Sequence, residues 1–60
     1  MDVVKITEHA RALLDAHGEK AEAEAAQKAA ALQQAGQHDE AEQWNMVRKA
    51  IHQLRSSHVS

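Results

Sequence analysis

The chain predicts an all-α protein built from three helical segments, about residues 3–17, 19–35 and 39–56. Three observations lead there. Proline is absent and β-branched residues are sparse, so little opposes helix or favours strand. Apolar residues in the first and third segments recur at three- and four-residue steps, the period of one helix face. The two glycines, Gly18 and Gly36, fall between the periodic stretches, where turns belong.

In the first segment Val3, Ile6, Ala10 and Leu13 share a face, Val4 and Leu14 widen it, and Asp2 stands where an N-cap is expected. The second segment, "EKAEAEAAQKAAALQQA", has high helix propensity and a small packing surface. Ala21, Ala25, Ala29 and Leu32 line one face, and Glu24 with Lys28 forms a favourable i,i+4 pair. An alanine face of this kind lets another helix approach closely.

Gly36 suits the left-handed position that closes the second helix, and Asp39 with Glu42 three residues on suggests a capping box opening the third. Beyond it Trp44, Val47, Ile51 and Leu54 form one narrow apolar seam. The link after Ala35 is short, so the second and third segments are expected to lie antiparallel. That arrangement carries Trp44 to the Leu32 and Ala29 region, as a plug for the base of a helical hairpin.

Gly18 leaves two readings. It closes the first helix and turns the chain back, giving a small three-helix bundle, or it is tolerated inside one helix from residue 3 to 35. A continuous helix would span about 50 Å and leave the Val3, Ile6, Leu13 and Leu14 stripe uncovered unless two copies paired. The break is favoured. Residues 57–60 read as a frayed tail.

Self-association is expected either way, because the core is thin. A chain this short buries only about 60% of the surface its unfolded form exposes. Hydrophobic residues make up 43%, yet 13 of those 26 residues are alanines. No cysteine is available for a disulfide staple. The expected core or interface set is Val3, Ile6, Leu13, Leu14, Leu32, Trp44, Val47, Ile51 and Leu54.

Charge is uneven around a net −2: residues 1–43 carry nine acids and four bases, whereas residues 44–60 carry Arg48, Lys49 and Arg55 with no acid. That asymmetry steers antiparallel self-association or attracts a polyanion, or the bases simply complement a helix C-terminus. Arg48, Lys49, His52 and Arg55 are the candidate polyanion contacts, with no aromatic among them to stack on bases.

Catalytic chemistry is disfavoured by inventory. Cysteine and tyrosine are absent, the serines Ser56, Ser57 and Ser60 crowd the end, and the isolated glycines make no phosphate loop. No cofactor and no metal are expected. The five histidines, His9, His17, His38, His52 and His58, include no i,i+4 pair, and only His38 with Glu42 has that spacing. His17 and His58 continue apolar seams, which places them at bundle ends as candidates for pH-sensitive packing. No apolar run suffices for a membrane span and no signal-peptide pattern is present, so a cytoplasmic protein is expected.

His17, Gly18, Ala21, Leu32, Ala35, Gly36, Ala41, Trp44, Ala50, Ile51 and Leu54 together resemble the pattern of a group of short uncharacterised helical proteins, mainly alphaproteobacterial. Gln37 departs from the acid usual there. The group carries no established activity. A shorter stretch, "AALQQAGQHDEA", is similar to the helical hairpin of a single tetratricopeptide repeat, although Asn45 replaces its aromatic and no proline ends the unit. That resemblance implies a peptide- or protein-binding scaffold. The combined expectation is a non-enzymatic interaction or regulatory accessory module, acting as a homodimer or on an unidentified protein partner. The alternative is a nucleic-acid-associated regulator using the basic flank of the third helix.

Overall fold

A computed structural model describes residues 3–56 and resolves three helices, α1 (Val3–His17), α2 (Lys20–Gln34) and α3 (His38–Ser56). The side chain of Val3, the Asp2 cap, His58 and the 57–60 tail lie outside the described residues. No strand occurs among those described.

Both glycines adopt the left-handed backbone that stops a helix, with φ of +61° at Gly18 and +80° at Gly36. They do so through different hydrogen bonds. The Gly18 N–H donates to the Leu14 carbonyl at 2.8 Å, the single-bond left-handed cap. At the other turn the Gln37 N–H donates to the Leu32 carbonyl at 2.8 Å and the Gly36 N–H to the Gln33 carbonyl at 3.1 Å, the two bonds of a Schellman motif. Gly18 is therefore a turn, and the single long helix does not form.

α2 starts directly off the first turn, where the Ala21 N–H donates to the Gly18 carbonyl at 3.1 Å and Glu19 supplies no side-chain cap. The start of α3 corrects the capping-box expectation. The helix opens at His38, and the first turn closes through the backbone, Ala41 N–H to Gln37 carbonyl at 2.9 Å. Asp39 thus stands inside the first turn with Glu40, where both acids face the positive end of the helix dipole.

α2 and α3 are antiparallel: Glu22 near the start of α2 pairs with Arg55 near the end of α3. α3 packs against both other helices, most extensively against α2. The core joins Ile6 and Ala10 of α1, Ala21 and Ala25 of α2, and Val47 and Ile51 of α3. Ile51 is the only large side chain among those described with no exposure. Leu13, Leu14, Trp44, Ala50 and Leu54 surround this cluster and are only partly buried. Ala29 and Ala41 are buried as well, on α2 and α3. Methyl side chains at these positions bring the helices close, so packing rests on short approach more than on bulk.

α1 completes the bundle from an unexpected direction. His9, on one flank, meets Trp44 early in α3, whereas Thr7 and Leu14, on the opposite flank, line grooves with Leu54 near its end. Two flanks reaching different ends of α3 mean that α1 lies across that helix and not along it. The molecule measures 40 × 23 × 17 Å.

Candidate functional site

Two regions of the surface gather chemistry-bearing side chains. The first is centred on Glu22, which the antiparallel register of α2 and α3 sets between Arg55 and His52. Its carboxylate accepts a hydrogen bond from the Arg55 guanidinium at 3.0 Å, and the His52 Nδ1 lies 3.5 Å from its other oxygen. Glu22 is the least exposed of the three, at 28% against 41% for Arg55 and 67% for His52. Arg48 and Lys49 border the same region and line a shallow groove with Glu22, His52 and Gln53.

The four candidate polyanion contacts are thus gathered on one side of α3, but not as four free groups. Arg55 and His52 are engaged with Glu22 in the folded chain, while Arg48 is partly buried and Lys49 exposed. Ion pairs this exposed contribute on the order of 0–1 kcal/mol each, so an incoming anion would compete with Glu22 at modest cost.

The second region runs from the N-terminal turns of α1 to the outer edge of α3. Trp44 is half-buried, and its ring partner is His9, with centroids 5.2 Å apart and planes at 65°. On the other flank a groove is lined by Thr7, Ala50, Gln53, Leu54 and Ser56, all uncharged. Met46, one turn before Ala50 on the same edge of α3, is 41% exposed, and Val4, one turn before Thr7, is 61% exposed.

Of the expected core or interface residues, Ile6, Val47 and Ile51 are buried, and Leu13, Leu14, Leu32, Trp44 and Leu54 are partly buried. The seam of α3 therefore has a closed middle and open ends. His17 does not continue an apolar seam: it is exposed, and its Nδ1 lies 3.2 Å from the Glu24 carboxylate across the Gly18 turn. Glu22 and His9 were not singled out from the sequence. Both act across helix pairs whose register and crossing are set by tertiary packing, and spacing along one helix carries no sign of them.

Among the described residues no group of three or more histidine or carboxylate side chains is placed to hold a metal ion, and no helix is long and apolar enough to cross a membrane. No protein-family model, curated protein or solved structure matches the chain.

Proposed function

We propose that the chain is a small non-enzymatic helical module that works by protein–protein contact, as a homodimer with an accessory or regulatory role in the bacterial cytoplasm. The observation that carries this reading is the composition of the core. Among the described residues only Ile6, Val47 and Ile51 are large and buried, against five alanines, while Leu13, Leu14, Leu32, Trp44 and Leu54 are left half-covered and Val4 and Met46 exposed. A 60-residue chain gains little from so small an interior, and a partner that covers the remaining apolar side chains supplies stability it lacks. Kinship with the short alphaproteobacterial helical proteins is part of the same proposal.

Sedimentation equilibrium from micromolar to millimolar concentration tests it. A monomer–dimer equilibrium supports the reading; a monomer at every concentration removes the homodimer and leaves only a heterologous partner.

A second reading, a nucleic-acid-associated regulator, draws on the groove that Arg48, Lys49 and His52 share with Glu22. Its test is the salt dependence of duplex binding: neutralising Z phosphates gives a log–log slope of about −0.9Z, and binding without a salt slope excludes this mode.

A further inference from the structure

We infer that the uncharged outer edge of α3, together with the first turns of α1 above it, is the surface on which a second copy of this chain docks, with the two α3 helices antiparallel across a two-fold axis. The inference rests on the self-association reading and assigns it a face.

The placement follows from the packing. α2 engages α3 through the side that carries His52 and Arg55. Ala50 is two residues from His52, hence about 160° round the helix at 3.6 residues per turn, so the Met46 and Ala50 edge is turned away from α2, with Gln53 at the border between this edge and the groove that holds Glu22. α1 crosses α3 and brings Thr7 against this edge, forming a groove with Ala50, Gln53, Leu54 and Ser56. No charged side chain lines it, whereas the grooves on the α2 side include Glu19, Glu22, Arg48, Lys49 and Arg55.

Charge identifies the occupant. A two-fold contact sets the side chains at its axis beside their own copies, so a charged centre would repel itself and an uncharged one does not. The margins of the face then complement each other. α3 carries its acids, Asp39, Glu40 and Glu42, in the first five residues and its bases, Arg48, Lys49 and Arg55, later. Antiparallel α3 helices with the axis near Met46 bring the acidic start of one copy beside the basic part of the other. Glu42 and Lys49 are both exposed and adjoin Met46 on the helix surface, which makes them the pair at the rim.

Area sets the extent. A stable pair buries about 800 Å² per partner. The whole chain exposes 4499 Å², so the contact needs nearly a fifth of it and must include the α1 turns at Val4 and Thr7 as well as the α3 edge.

The test is a charge swap on the full chain, read by sedimentation equilibrium, with circular dichroism on each sample to establish that the fold is kept. Glu42→Lys and Lys49→Glu are each expected to raise the dimer dissociation constant about tenfold, and the double swap to restore it. Met46→Glu is expected to raise it by about a hundredfold, while Lys28→Glu on α2 leaves it unchanged. A wild-type chain that stays monomeric overturns the self-association reading. A wild-type dimer indifferent to Met46→Glu and to both single swaps overturns the face alone.

Discussion

The imidazole of His9 stands nearly edge-on to the indole of Trp44, 5.2 Å between centroids at 65°, and so ties α1 to the opening turns of α3. A pair in this geometry contributes about 0.5–1.5 kcal/mol beyond the area it buries. Trp44 is the only tryptophan, so its fluorescence reports on this contact directly. His9→Ala is expected to change the emission and to cost about 1 kcal/mol in a denaturant melt. A double-mutant cycle of His9→Ala with Trp44→Leu should show coupling; strict additivity would mean that the rings are neighbours without interaction.

Trp44 itself is half-buried, so truncation should cost less than removal of a fully enclosed indole. Trp44→Ala is expected to destabilise by about 2–3 kcal/mol, below the usual 3–5 for a core aromatic. A urea melt measures this, and a change under 0.5 kcal/mol would show the ring to be free of the fold.

Ile51 is fully enclosed where all three helices meet. Ile51→Ala removes three methyl-sized groups from a core with little else in it, and a loss of about 3–4 kcal/mol is expected. Against the roughly 3–5 kcal/mol that the core of a chain this short supplies, that loss leaves a substantial unfolded fraction at 37 °C. Thermal melts followed by circular dichroism read it. Ala50→Ser, at the edge of the same helix, serves as the mild comparison, expected to cost under 1 kcal/mol.

The two turns make a chemical prediction. At both glycines an added L-configured Cβ meets nothing within 4 Å, so the obstacle to an L side chain is the positive φ. Gly18→Ala and Gly36→Ala should each cost about 1–2 kcal/mol through left-handed strain. D-alanine, for which this φ is the favoured one, should instead stabilise by about 0.4–1 kcal/mol by restricting the unfolded chain. A chain of 60 residues is within reach of synthesis, and the sign difference between the two enantiomers is the measurement.

Much of the fold was legible in the sequence for reasons the turns and seams make clear. Gly18 and Gly36 interrupt the helical period at the two places where the chain must reverse, and a Cβ-free residue suits a left-handed backbone. Val47 and Ile51 follow the three-then-four spacing of a buried face, and Ala21, Ala25 and Ala29 mark the face on which α2 approaches its neighbours. What spacing could not convey is how α1 meets the pair. Periodicity identifies which face turns inward but not the crossing angle, and only the crossing brings His9 to Trp44 and Thr7 to Ala50. Glu22 escaped notice for a related cause: it lies 33 residues from Arg55 and gains its role only once the hairpin register is set. The start of α3 departs from the sequence pattern because Asp39 and Glu42 match a capping box in type, while the Schellman turn at Gly36 delivers the chain into helix two residues sooner, with Gln37 in the N-cap position.

The most direct test of the central claim, that this thin three-helix unit completes itself with a second copy, is the concentration dependence of its thermal unfolding. Melting curves by circular dichroism over a thousandfold range of concentration are expected to shift upward as the chain is concentrated, because only the folded chain pairs. A melting temperature that stays constant across that range would contradict the account and show that Ile6, Val47, Ile51 and their alanine neighbours hold the monomer together unaided.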